Sequence, residues 1–150
     1  MRASAVLTAV SCCIGLCAGL GCSGSDQSDP RQVVISFFGA MERNDQAALA
    51  HVLDLASLMR NTTEDYAVST DSPRTFTDPR QILNDLTNDG LTKTRWFSMQ
   101  RIINDAQITG ETATVEVTFV DKKASMGYRT KFGLRKTNGK WRIFSFKTFE

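Results

Sequence analysis

Most of the chain contains no cysteine. All four cysteines, Cys12, Cys13, Cys17 and Cys22, fall within the first 22 of the 150 residues. Disulfide bonds and thiolate metal sites both need cysteine, so neither can form within the rest of the chain. The folded part must therefore be stabilised by a hydrophobic core rather than by covalent links, and the 41% hydrophobic composition is ordinary for such a core.

Histidine and net charge are also scarce. The only histidine is His51, and 18 basic residues face 16 acidic ones, for a formal net charge of +2. The sequence has no histidine pair for a metal, no glycine-rich phosphate loop and no serine nucleophile motif. We therefore predict no metal and no cofactor, assign no catalytic residue, and expect no binding of nucleic acid, for which a basic domain is typical.

The single histidine has a simple structural interpretation. His51 is out of phase with the apolar positions Leu49 and Val52 of its helix, so we expect it to point to solvent or to the helix flank. Asp54, three residues further on, is its expected neighbour. The alternative is an acid/base pair formed by these two residues, because histidine titrates near neutral pH.

Residues 1–21 have the layout of a secretory signal peptide. A positive charge at Arg2 precedes an apolar stretch, and no acidic residue occurs before Asp26. Cys22 then begins a polar run without apolar side chains, which predicts a flexible tether over residues 22–29. The chain is therefore predicted to be exported.

Cys22 and the residues before it resemble the lipobox of bacterial lipoproteins, in which a cysteine receives diacylglycerol and becomes the new N-terminus. The resemblance implies lipidation of Cys22, a membrane as partner through that lipid, and a place in the bacterial cell envelope. One alternative is cleavage after Gly21 by ordinary signal peptidase, which gives a free protein. The other is an uncleaved membrane anchor.

Three helices are predicted from apolar residues spaced at i, i+3, i+4 and i+7. The first begins at Asp29 and Pro30, a cap followed by a first-turn proline, and the second begins after the cap Asp45. The third runs from Pro79 to about Asn88. Their apolar positions are Val34, Phe37, Phe38 and Met41; Leu49, Val52, Leu53 and Ala56; and Ile82, Leu83 and Leu86.

The C-terminal part of the chain changes to a period of two and is rich in β-branched and aromatic residues. We predict a first strand from about Trp96 to Ile108, then two alternating strands, and a last strand after the hairpin signal Asn138-Gly139. Three helices followed by an antiparallel meander indicate an α+β domain over residues 30–150, with helices packed against one face of a curved sheet.

Residues 34–49, 108–115 and 138–143 resemble the nuclear transport factor 2-like (NTF2-like), or cystatin-like, superfamily, and in particular small bacterial lipoproteins of that fold. The resemblance covers most of residues 29–150 and implies a cone in which a bent antiparallel sheet wraps around helices. It implies function only broadly, because this fold hosts isomerases, cyclases, epoxide hydrolases, binding domains and dimerisation modules. Its enzymes use acid or base residues that project into the cone.

The candidate pocket combines apolar residues expected inside the cone with charged residues of the first strand. Phe97, Arg101 and Asp105 share one face of that predicted strand, but the opposite face is equally mixed, so either face could look into the cone or into solvent. Trp141 is expected to close one end of the cone. The candidate ligand-pocket residues are Phe37, Met41, Tyr66, Phe97, Arg101, Asp105, Phe119, Phe132 and Trp141.

A basic stripe is predicted on one side of the last hairpin. Its members are Arg129, Lys131, Arg135, Lys140 and Arg142. Such a stripe is either a solvated sheet face or a surface that docks on an anionic partner such as lipid headgroups.

The sequence favours a non-catalytic cone domain that binds a small apolar ligand or a partner protein in the cell envelope. One alternative is an isomerase-like or hydrolase-like enzyme that uses a polar group inside the cone. Another is a structural module that forms a homodimer through the open sheet face, where Phe144 and Phe146 would extend the apolar surface.

Overall fold

The computed structural model describes residues 27–65 and 76–149. In these residues five helices precede four strands. They are α1 (Pro30–Glu42), α2 (Gln46–Val52), α3 (Leu55–Asp65), α4 (Pro79–Asp85), α5 (Leu91–Phe97), β1 (Gln100–Thr109), β2 (Thr112–Asp121), β3 (Met126–Thr137) and β4 (Lys140–Phe149). The strands form one antiparallel sheet in the order β1-β2-β3-β4, and the helices pack against it, which confirms the α+β prediction.

Both copies of the tetrapeptide Asp-Pro-Arg-Gln begin a helix. At α1, Asp29 Oδ1 accepts a hydrogen bond from the Arg31 N–H (3.0 Å), and at α4, Asp78 Oδ1 accepts one from the Arg80 N–H (2.8 Å). The proline occupies the first turn in each helix, where no backbone donor is needed. Local sequence chemistry therefore determines these two helix starts.

The second predicted helix is divided into α2 and α3. Between them Leu53 forms a parallel bridge with Ile143, and the Asp54 N–H donates a hydrogen bond to the Ile143 carbonyl (2.8 Å). The chain leaves the helix here because its backbone pairs with the sheet instead. The expectation that Ala56 continues the apolar stripe is wrong, since Ala56 is exposed on α3.

The first predicted strand begins too early, because residues 91–97 form the helix α5. Its β-branched and aromatic residues favour a strand, but a distant residue caps the helix. The buried carboxylate of Asp85 accepts hydrogen bonds from the Thr92 N–H (3.4 Å) and the Thr92 hydroxyl. Trp96 and Phe97 therefore lie on a helix, and sequence periodicity could not reveal this contact between α4 and α5.

The core lies between the helices and the inner face of the sheet. Buried residues alternate along β2 and β3, as expected for a sheet with one covered face. Six aromatic residues at the centre are each at most 6% exposed: Phe37, Phe38, Trp96, Phe119, Phe132 and Phe146.

A bulge in β4 reverses the orientation expected for Phe146 on an open sheet face. The pairing of β3 with β4 shifts between Gly133 and Leu134, which leaves Phe144 as an extra residue on β4. Phe146 consequently points into the core and does not extend the open face of the sheet. Phe144 is half-buried, and the Arg135 guanidinium lies 4.6 Å from the centre of its ring.

Candidate functional site

The space enclosed by the sheet is filled with aromatic rings. Trp96 stacks on Phe119 with ring centroids 5.3 Å apart, and Phe132 meets Phe37 edge-on at 5.7 Å and Phe146 at 5.0 Å. Rings at these separations are in direct contact, so no ligand fits between them. Five predicted pocket residues belong to this core: Phe37, Met41, Phe119, Phe132 and Trp141.

Arg101 lies at the margin of the core. Its guanidinium is 3.9 Å from the centre of the Phe97 ring and 5.4 Å from that of Phe38, and its Nη1 donates a hydrogen bond to the Trp96 carbonyl (3.1 Å). Burial lowers the pKa of Arg101, and the carboxylate of Glu42 partly opposes this effect. Stacking on two rings gives this cation a packing role.

Asp105 lies outside the cone, away from Arg101. The pairing of β1 with β2 is irregular between Ile103 and Ala106, so the two charged residues do not share a face as a regular strand would require. The Asp105 carboxylate is fully exposed, and its nearest cationic group is Arg31 Nε at 3.6 Å. Phe97 shares no strand face with either residue, because it ends the helix α5 before β1 begins.

The predicted pair of His51 and Asp54 does not form. His51 is exposed, as expected. Asp54 does not pair with it, because the carboxylate accepts hydrogen bonds from the Ser57 N–H (3.0 Å) and the Ser57 hydroxyl (2.8 Å) at the start of α3. Tyr66 and Cys22 lie outside the described residues.

An open groove of about 1100 Å³ lies on the outside of the helix layer. It is lined by α1, by α2, by the turn that joins β3 to β4 and by the residues that precede α1, which adjoin this turn through the hydrogen bond between Gln27 and Trp141. The residues of α1 and its C-cap that line the groove come from the face opposite the core stripe: Gln32, Ile35, Ser36, Gly39 and the cap Arg43. The groove thus uses the side of α1 that the core leaves uncovered.

Charged groups of both signs line the groove. The acids Asp29 and Asp45 already accept backbone hydrogen bonds as helix caps, from the N–H groups of Arg31 (3.0 Å) and Ala48 (2.9 Å). The side chains of Arg43, His51 and Lys140 are exposed along the same groove. Such a mixture can offer hydrogen bonds to a polar partner and apolar contact through the aliphatic residues between them.

The groove was not among the sites predicted from the sequence. Its signal is a second stripe along α1 and its C-cap, in which Gln32, Ser36, Gly39 and Arg43 recur at helical spacing. Ser36 and Gly39 are small, so they leave room beside the helix. The predicted stripe of large apolar residues marks the core, and the small and polar stripe marks the accessible surface.

A second depression, on the outer face of the sheet, is much smaller. It measures about 190 Å³ and includes Asp105, Glu116 and Lys131 in its lining. In the part of the chain that the structure describes, no group of three potential metal ligands comes together. None of the described helices combines the length and apolar character needed to span a membrane.

No family model and no curated protein matches the sequence. The fold is nevertheless similar to solved structures. An NTF2-like protein of unknown function from Methylobacillus flagellatus aligns with a TM-score of 0.52 at 17% identity, over 78% of this chain and 85% of its own. An NTF2-like protein of unknown function from Shewanella baltica gives a TM-score of 0.51 at 15% identity, over 79% of this chain and 87% of its own. With its helices packed on a four-stranded antiparallel sheet, this chain has the NTF2-like fold.

Proposed function

We propose that the protein is a non-catalytic binding domain of the bacterial cell envelope, which takes a segment of a partner polypeptide in the groove beside α1 and α2. A lipid on Cys22 holds the domain at a membrane. The observation that carries the proposal is that aromatic rings fill the cone while the groove outside it is open.

The shape of the groove favours a polypeptide over a small apolar ligand. Its volume of about 1100 Å³ exceeds the range of about 300–1,000 Å³ that is usual for small-molecule pockets, and such pockets are more enclosed and apolar. An extended peptide carries backbone N–H and C=O groups that need partners. Gln32 and Ser36 can both donate and accept hydrogen bonds, and Gly39, one turn after Ser36, has no side chain to obstruct the groove.

The positions of the charged residues support a non-catalytic role. An enzyme of this fold needs an acid or base inside the cone, but Asp105 faces solvent and Arg101 stacks on rings. Asp85 is a buried carboxylate of the described core, and it holds the first turn of α5 through Thr92. The enzyme alternative therefore has less support than binding.

Site-specific photocross-linking in cells tests the groove. A photoreactive amino acid at Ser36, within the groove, should give one dominant adduct with an envelope protein. The matched control is the same amino acid at Thr94, which is exposed on α5 and outside the groove. Filling the groove with Gly39→Trp should reduce the Ser36 adduct several-fold. No adduct, or the same adduct from both positions, contradicts the proposed site.

Replacement of the lipidation candidate tests the anchor. Cys22→Ser should move the protein from the membrane fraction to the soluble fraction and remove the lipid mass from its mature N-terminus. Unchanged fractionation, together with an unmodified N-terminus in the wild type, contradicts lipidation.

A further inference from the structure

The segment that follows Cys22 joins the domain beside the turn between β3 and β4. The Trp141 N–H donates a hydrogen bond to the Gln27 carbonyl (3.1 Å), and Gln27 Nε2 donates to the His51 carbonyl (3.1 Å). Gln27 is only 5% exposed. The first described residue after Cys22 is thus held against the beginning of β4.

The connection between Cys22 and this point is short. Gln27 is five positions after Cys22, and an extended chain spans at most about 3.6 Å per residue, so the connection reaches about 18 Å. The strand β3, with 12 residues, is about 40 Å long at about 3.3 Å per residue. A lipid on Cys22 would therefore favour an orientation with the β3–β4 turn near the bilayer and the β2–β3 turn, at the opposite end of β3, far from it.

The end of the sheet near this connection is basic. Arg135 and Arg142 lie directly opposite each other on β3 and β4, a like-charge pair that by itself destabilises a sheet. Lys140 is exposed one residue before Trp141, and Lys136 Nζ lies 5.8 Å from the centre of the Trp141 ring. Four cationic side chains thus surround the point where the N-terminal segment is attached.

Acidic residues near the same end offset these cations only in part. In the described part of the chain they include Glu111, exposed in the β1–β2 turn, and Asp29, exposed two residues after Gln27. Asp54 also interacts electrostatically with Arg135, but its carboxylate is hydrogen-bonded to Ser57. Electrostatic attraction to anionic headgroups acts over about 10 Å at 0.1 M salt, a distance that a short tether can maintain. Headgroup phosphates between Arg135 and Arg142 would also relieve the repulsion of this pair, since guanidinium groups bind phosphate in a bidentate manner.

We propose that the β3–β4 end of the domain docks on the anionic lipid surface of the membrane that holds the anchor, with Arg135, Lys136, Lys140 and Arg142 against the headgroups. The inference rests on the proposed lipid anchor. Docking in this orientation leaves the groove, which begins beside Lys140 and extends along α1, open at its other end for a partner.

Lysine footprinting of the mature lipoprotein tests the docking. The protein is purified from membranes in detergent and reconstituted in vesicles of phosphatidylcholine, with or without phosphatidylglycerol. A brief reaction with a membrane-impermeant amine reagent is followed by peptide mass spectrometry. Lys122 and Lys123 are the matched control, because they are exposed in the β2–β3 turn at the opposite end of the sheet.

The labelling of Lys136 and Lys140, relative to that of Lys122 and Lys123, should fall several-fold when phosphatidylglycerol is present and recover at high salt. An unchanged ratio overturns the docking while leaving the anchor intact. Preferential protection of Lys122 and Lys123 also overturns it. The same spectra report the mass of the N-terminal peptide, and a missing lipid overturns the anchor together with the docking that depends on it.

A double substitution tests the two arginines of the docking surface, while the labelling of a lysine remains the measurement. Arg135→Gln with Arg142→Gln removes a repulsive pair, so the fold should be retained by circular dichroism. The protection of Lys140 by phosphatidylglycerol should then decrease several-fold. Full protection in this variant overturns the assignment of the arginines to the docking surface.

Discussion

Individual aromatic residues determine where a ligand can bind. Trp96 is 2% exposed and contacts rings from α1 and from three strands, including Phe37, Phe119 and Phe146. A tryptophan side chain in this position fills the volume that an empty cone would offer to a ligand. The accessible groove consequently lies outside the helices.

Removal of this ring should have a large effect on stability. Trp96→Ala is expected to lower the free energy of unfolding by about 3–5 kcal/mol, the range for loss of a buried large aromatic residue. Leu91→Ala on the same helix is the control, because Leu91 is 63% exposed and its loss should cost less than about 0.5 kcal/mol. Urea unfolding of both variants measures the difference, and equal losses would show that Trp96 is not central to the core.

The sequence predicts core residues better than charged ones. Phe37 and Met41 can be assigned to the core because helical spacing alone places them on one face. Asp105 cannot be placed in this way, since a single bulge in β1 changes the face on which it lies. The bulge depends on the pairing of β1 with β2, which is not encoded in the local sequence of either strand.

At the scale of elements, the junction between α2 and α3 is maintained by Asp54. Its backbone N–H binds the sheet, and its carboxylate caps α3 through Ser57. Burial opposes ionisation of this carboxylate, but the hydrogen bonds from the Ser57 side chain and backbone, together with the positive charges of Arg135 and Arg60, outweigh burial and hold its pKa below the usual value. The ionised form is therefore favoured by folding.

This lowered pKa predicts a dependence on acid pH. An unfolded aspartate has a pKa near 3.9, so the contribution of Asp54 should be complete above about pH 4 and should be lost as the pH falls through the lower folded value. Asp54→Ala should cost about 1 kcal/mol at pH 7, and its difference from wild type should shrink below about pH 4. Asp54→Asn, which keeps an acceptor, should cost less at pH 7. Urea unfolding between pH 7 and pH 3 tests this, and a constant difference would contradict it.

The junction between α4 and α5 provides a second test at this scale. A side chain at Gly90 would overlap the backbone carbonyl of Asp85, which cannot rotate away as a flexible side chain can. Gly90→Ala should therefore destabilise the protein by at least about 1–3 kcal/mol, the usual cost of overpacking. Gly127→Ala is the control, because the added methyl carbon would lie 3.8 Å from the Phe119 carbonyl oxygen, an ordinary van der Waals distance. Thermal unfolding of the two variants should separate them clearly, and similar midpoints would refute the proposed close approach.

Helix starts could be predicted where their caps are local, and not where they are distant. Asp29 and Asp78 directly precede their helices, and each accepts a hydrogen bond from the N–H two positions later. Both helix starts therefore follow from the sequence. The start of α5 depends on Asp85, seven residues before Thr92, and its strand-like composition suggested the wrong element. The groove was missed for a related reason, because it is formed by three elements that are distant in the sequence.

At the scale of the whole molecule, Gln27 connects the N-terminal segment to both layers of the fold. Its side chain binds the end of α2 at His51, and its carbonyl binds β4 at Trp141. The same residue lines the groove, so the attachment of the N-terminal segment and the proposed binding site are adjacent.

Truncation separates this junction from the rest of the N-terminal segment. A chain that begins at Gln27 should have nearly the same free energy of unfolding as one that begins at Ser23, because the described core lies entirely after residue 27. A chain that begins at Asp29 loses two hydrogen bonds, each worth about 0.5–1.5 kcal/mol, and should be less stable by about 1–3 kcal/mol. Gln27→Ala in the chain that begins at Ser23 keeps the backbone hydrogen bond to Trp141 and should show about half of that loss.

Urea unfolding of the four chains measures these differences in the free energy of unfolding. Equal stability of the chains that begin at Gln27 and Asp29 would mean that the N-terminal segment is not fastened at this point, so that a lipid on Cys22 could not orient the basic end of the sheet.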